Sequence, residues 1–283
     1  VEGYGSDPRA TDIINNTAIF IMPTMNPDGF ESGSRYNANG TDLNRDFPDQ
    51  FSDPNNTTIG REPETRAVMD WTWDHHFVLS ANMHTGALVA NYPYDGPSSG
   101  VYSGCPDDDL FIHISLAYAD AYPNMESGGF SNGITNGAQW YAISGGMQDW
   151  NYIWEGDFDI TIEQSEVKWP SSNQLAGLWE DHREPMLVYL EEVHNGIRGI
   201  GIDADSGEPL SANISVQGID HDILPDPENG DYYRLLPAGT YTITAQAFGY
   251  LAQSETVIVP LSGYVEHNFE LSVDPWLAEA DIE

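Results

Sequence analysis

The sequence predicts an α/β domain followed by a small all-β sandwich. Over residues 1–195, short apolar runs of strand type alternate with stretches of helical periodicity, the signature of α/β architecture. From Ile197 the texture changes to evenly spaced β-like runs separated by turn signals, with no helical stretch. The length of 283 residues suits one large domain or two ordinary ones. The expected division is 1–195, 196–271 and an acidic, loose tail at 272–283.

In chain order, residues 17–22 (TAIFIM) form an almost wholly apolar run ended by Pro23, as a buried central strand would. Residues 78–82 read as a strand that closes on His84 and a Thr-Gly turn. Residues 106–122 read as a helix: Pro106 at the start, Asp107 to Asp109 in the first turn, then Leu110, Ile114, Ala117, Tyr118 and Ala121 on one face. Residues 157–163 alternate, with Phe158, Ile160 and Ile162 on one side and Asp159, Thr161 and Glu163 on the other. Residues 172–194 form a longer helix whose stripe runs through Leu175, Leu178, Trp179, His182, Met186, Tyr189, Leu190 and Val193. Pro185 should kink it and Asn195-Gly196 stops it. Beyond it, strands are expected at 197–202, 212–216, 240–247, 256–259 and 265–271.

Charge removes several function classes. Nine Lys and Arg against 45 Asp and Glu leave a formal net charge of −36, and Lys168 is the only lysine. Phosphate backbones and anionic membranes repel such a surface, so nucleic-acid binding through a basic patch is excluded. No run approaches the ~18 apolar residues that a membrane helix needs. With 40% hydrophobic and 12% aromatic residues the chain has material for a core and is not disordered. The single Cys105 forbids an internal disulfide, and it reads as structural. Lysine poverty in so acidic a chain suggests a secreted protein in salty water, where salt screens its self-repulsion.

Chemistry concentrates in PTMNPDG at 23–29 and RYNANGTDLNRDFP at 35–48. Loops at strand ends are where α/β proteins build sites, and two arginines with an asparagine suit an anionic group. The plainer alternative is a hydrogen-bonded surface loop. His84, at a strand end, is either structural or a metal ligand, since neutral imidazole is a good zinc donor. Glu163, on the polar side of an alternating strand, is either a solvated edge residue or a general base. His182 lies on the helix stripe as a core histidine, and His75-His76 sit at a helix end. His267 and Glu270 spell HxxE but in a strand, where positions i and i+3 point to opposite faces.

These loops, together with ANMH at 81–84 running to NYPYD at 91–95, CPDDDL at 105–110, GITNGAQWY at 133–141, GGMQDW at 145–150 and ITIE at 160–163, resemble the zinc metallocarboxypeptidases. The subfamily is that of carboxypeptidases D, E, M and N. Residues 197–271 look like its transthyretin-like domain, in GIGID at 199–203, DSGEP at 205–209, RLLPAGTY at 234–241 and AFGY at 247–250. The resemblance implies a mixed central β-sheet flanked by helices, and a zinc-dependent enzyme that hydrolyses the C-terminal peptide bond. It implies His84 as the third zinc ligand and Glu163 as the base that takes the proton of a zinc-bound water, whose pKa the metal lowers to about 7. It puts Arg35 on the oxyanion, Asn44 and Arg45 on the substrate's terminal carboxylate, and Tyr141 over the bound C-terminus. Asp42 would orient a zinc histidine from outside the ligand set. Asp95 and Gln148 would form the side-chain pocket, where a carboxylate favours a C-terminal Arg or Lys. The implied partners are basic peptide or protein C-termini, met by a secreted, periplasmic or extracellular monomer.

The family's zinc site also takes an HxxE pair upstream of the NPDG block, and residues 1–22 hold no histidine. With Val1 in place of Met, the expectation is a fragment that begins after that motif and holds zinc weakly or not at all. Thr85 and Asp46 depart from the subfamily's usual Gly and Asn. The competing expectation is a non-catalytic relative that binds peptides or partners.

Overall fold

The structure is a computed structural model that describes residues 3–223 and 225–278. Four strands form a mixed sheet in the order β1-β4-β2-β3: β1 Leu79–His84, β2 Ala87–Tyr92, β3 Ile134–Asn136 and β4 Phe158–Ser165. β1 runs parallel to β4, β4 antiparallel to β2, and β2 parallel to β3. Helices flank it, namely α1 Pro8–Asn16, α2 Pro27–Ser32, α3 Pro63–His75, α4 Asp108–Ala121, the single turns α5 Gly137–Trp140 and α6 Met147–Trp150, and α7 Leu175–Glu191. The mixed α/β architecture expected from the sequence is present.

The alternation of β4 decides where the core and the site lie. Phe158, Ile160 and Ile162 join Phe111, Ile114 and Tyr118 of α4 and Tyr189 of α7 in the main apolar cluster. The opposite side chains of β4, Asp159, Thr161 and Glu163, are buried as well. They face a polar layer: Asn82 of β1 and Asn151 beyond α6 each donate 2.9 Å hydrogen bonds to Asp159 Oδ2. His182 is the satisfied core histidine expected, bonded to Tyr118 Oη at 2.7 Å and to the Gln164 carbonyl oxygen at 2.8 Å. Cys105 is buried, and burial pushes its thiol up, out of the reactive range.

Two expectations fail. Residues 17–22 form no strand and Ile21 is 81% exposed, because no strand among the described residues pairs with them and β1 stands at the sheet edge. The stripe of α7 is buried only in its second half. Leu175 and Trp179 are exposed, since nothing among the described residues covers the first two turns.

Beyond α7, strands β5 Gly196–Asp203, β6 Asn213–Val216, β7 Ile219–Ile223, β8 Asp231–Leu235, β9 Gly239–Gln246, β10 Gln253–Val259, β11 Tyr264–Glu266 and β12 Phe269–Leu271 form two sheets. One has the order β10-β9-β6-β7. The other has β11-β5-β12, with β8 also on β5. Their inner faces share a second apolar cluster that includes Ile214, Tyr232, Ile243 and Phe269. The run at 265–271 is broken into β11 and β12, and β7 and β8 arise at residues where no strand was expected. Of the tail at 272–283, Pro275–Ala278 forms one helical turn, and residues 279–283 lie outside the described residues.

Candidate active site

His84 ends β1, and Glu163, two residues before the end of β4, is its register partner across the β1–β4 ladder. Parallel pairing sends their side chains to the same face of the sheet. Burial pushes the imidazole of His84 down to about 4, and Arg35 and Arg45 add to the shift, so the ring is neutral near pH 7. Glu163 is pushed up to about 7 by burial, against the charges of Arg35 and Lys168. Its Oε2 is buried without a hydrogen-bond partner among the described residues. A carboxyl group so placed can exchange a proton near neutrality.

The loop 35–46 stands beside this pair. Arg35 Nε donates to Asp42 Oδ2 at 2.7 Å, and Asp42 Oδ1 accepts from the Asn44 amide at 3.2 Å as it caps the 3-10 turn Leu43–Arg45. Asp42 thus holds Arg35 and Asn44 in place. The loop is tied down by Glu62 at the start of α3. Its carboxylate accepts from Asn37 Nδ2 (2.8 Å), Asn39 Nδ2 (2.7 Å) and Thr41 Oγ1 (3.1 Å), and those bonds pull its own pKa down. Asp46 Oδ2 in turn accepts the Glu62 amide at 2.7 Å.

α6 joins the loop to a pocket. The Met147 amide donates to Asn44 Oδ1 at 2.9 Å, which leaves the Asn44 amino group to point elsewhere. The Arg45 side chain makes one hydrogen bond, to the Asn44 carbonyl oxygen at 2.6 Å, and no salt bridge among the described residues. Gln148 Nε2 donates to Asp95 Oδ1 at 2.9 Å. Asp95 is 4% exposed, and burial pushes its carboxyl up to about 7 against Asn91, Arg45 and Gln148. Glycine is required at 137, because a Cβ there would stand 2.0 Å from Asp95 Oδ1. Tyr141 follows α5, 43% exposed, with its ring edge-on to Trp140.

His84, Glu163, Arg35, Asp42, Asn44, Arg45, Asp95 and Gln148 are thus linked by strand register, hydrogen bonds or mutual charge effects. Tyr141 stands apart, connected to the pocket through the backbone of α5. Glu62, which holds the loop, escaped the sequence reading because it belongs to no periodic pattern. Asp149, whose carboxylate accepts the Asp95 backbone N–H, lies within the GGMQDW motif but was given no role there.

A family described as "Zinc carboxypeptidase" matches residues 1–185. Carboxypeptidase D of Homo sapiens is 43% identical over 295 residues, covering 95% of this chain and 21% of that protein. The carboxypeptidase N catalytic chain of Mus musculus is 42% identical and carboxypeptidase M of the same species 43%, covering 93% and 92% of this chain. The chain spans about a fifth of the carboxypeptidase D relatives, and 66% and 63% of these other two. The crystal structure of thrombin activatable fibrinolysis inhibitor superimposes with a TM-score of 0.50 at 22% identity, over 66% of this chain and 55% of that one, a likeness of fold.

Proposed function

The chain belongs to the zinc carboxypeptidase family, and on that premise we propose that the protein removes C-terminal Arg or Lys from peptides outside the cell, as a monomer. The observation that carries this reading is Asp95, a buried carboxyl group met by amide donors and by no salt bridge among the described residues. A substrate guanidinium or ammonium would complete it. Leaving a buried charge unpaired costs roughly 2–5 kcal/mol, which disfavours apolar terminal residues.

Zinc is the family's cofactor, and His84 suits it as a neutral imidazole with a free lone pair. The described residues hold no group of three or more His, Cys, Asp or Glu that could bind a metal, so His84 needs two further protein ligands. When bound, the ion would polarise the scissile carbonyl and acidify a water.

The chain's own residues supply the rest. Arg45 and the Asn44 amino group take the terminal carboxylate, which restricts cleavage to the chain end. Arg35, held through Nε by Asp42, keeps its two terminal amino groups for the developing oxyanion. Glu163 Oε2 takes the proton of the attacking water and returns it to the leaving amine. The incomplete donor set favours one other reading, a relative that binds basic C-termini without cleaving them. The test is zinc-supplemented full-length protein. Arg should be released faster than Phe from otherwise identical peptides, and Glu163→Gln should lower both rates by about 10²-fold or more. Tight binding of the Arg peptide with no release would favour the second reading.

A further inference from the structure

One turn of helix grips Asp95 twice. Gln148 of α6 bonds its carboxylate, and the next residue, Asp149, accepts its backbone N–H with both carboxylate oxygens, Oδ1 at 3.1 Å and Oδ2 at 2.9 Å. Asp149 is 4% exposed, as Asp95 is. We propose that Asp149 is a positioning residue for the side-chain pocket: it fixes the backbone of Asp95 and so aims the Asp95 carboxylate, without itself supplying the pocket's charge. This rests on the reading of Asp95 as the group that meets a basic side chain.

Three observations support it. A buried backbone N–H must find an acceptor, and within this site Asp149 is the one it has. The backbone on both sides of Asp95 is held too: the Tyr94 carbonyl accepts from Ala138 and the Asp95 carbonyl from Ile143, both at 2.9 Å. The N–H is thus the last free link of that residue. Third, like charges this close do not both ionise, and burial with Asp95 alongside pushes Asp149 strongly up. An acceptor that carries no charge meets the need, which makes the amide of asparagine a fair replacement.

The experiment uses the full-length protein with Asp149→Asn and Asp149→Ala. It measures kcat and KM for matched peptides ending in Arg and in Phe, together with hydrogen exchange of the Asp95 amide. Asp149→Asn should keep the amide protected and the Arg-to-Phe ratio within about threefold. Asp149→Ala should lose the protection and raise KM for the Arg peptide roughly tenfold, the scale of leaving one buried N–H unsatisfied, with kcat and the Phe peptide little changed. The proposal is overturned if Asp149→Ala leaves the Asp95 amide protected. It is also overturned if Asp149→Asn keeps that amide protected yet loses the Arg preference, because the charge of Asp149 would then be what matters. A wild-type protein that shows no Arg preference sinks the basic-residue reading instead, and the exchange data alone then decide whether Asp149 holds Asp95.

Discussion

Asp107 and Asp95 are both buried carboxyl groups near the main core, and the fold treats them differently. Asp107, just before α4, meets Arg234 of β8: Nη2 lies 2.6 Å from Oδ1, and both side chains are wholly buried. Tyr152 Oη donates to its other oxygen at 2.9 Å. Asp95 receives an amide from Gln148 and, among the described residues, no salt bridge. Where the charge joins the two-sheet unit to the α/β unit, the chain supplies the cation itself. In the pocket it withholds one, and on our account the substrate brings it.

The contrast can be broken first at Asp107. Arg234→Met leaves that carboxylate buried and unpaired, and should lower unfolding free energy by about 3–5 kcal/mol. Adding Asp107→Leu should restore most of the loss, since paired replacement of a buried ion pair by apolar groups is often near neutral. Denaturant titration of the two variants reads both outcomes. A single variant as stable as the wild type would mean that the pair is solvated or dispensable.

A smaller effect sharpens the comparison. Asp157 lies on β4's approach to the site, bonded by Ser80 Oγ, and burial pushes it up to about 7. A carboxyl group whose folded pKa lies above its unfolded value binds a proton more tightly when folded. Its contribution to stability is therefore full below about pH 4 and is lost as pH rises through 7. Asp95, raised to about 7 as well, acts in the same sense. The contribution of these two carboxyl groups should fall from pH 4 to pH 8, against the opposite contribution of the depressed His84 and His221, and Asp157→Asn should make the pH dependence of stability less negative over that range. An unchanged slope would show that Asp157 is ionised throughout.

The parts that the sequence revealed are those that hydrophobic patterning or motif spacing controls. Alternation over 157–163 placed Phe158, Ile160 and Ile162 in the core and Glu163 on the site face. The end of β1 carried His84 to the same edge. β7 and β8 escaped notice because they are IDHDI and DYYRL, too polar for a buried-strand pattern. The Arg234–Asp107 pair spans 127 positions, and periodicity says which faces are buried without saying which polar groups meet there. Residues 17–22 have the composition of a central strand, but a strand needs a hydrogen-bonded neighbour, and among the described residues they have none.

The direct test of the contrast is one ratio: kcat/KM for a peptide ending in Arg over the same peptide ending in citrulline, its uncharged near-isostere. The account predicts a ratio of roughly 30 or more in the zinc-supplemented full-length protein, the lower end of what an unpaired buried charge costs, falling to within a few-fold of unity in Asp95→Asn. Equal rates for Arg and citrulline in the wild type would contradict it, because Asp95 would then not be waiting for a cation.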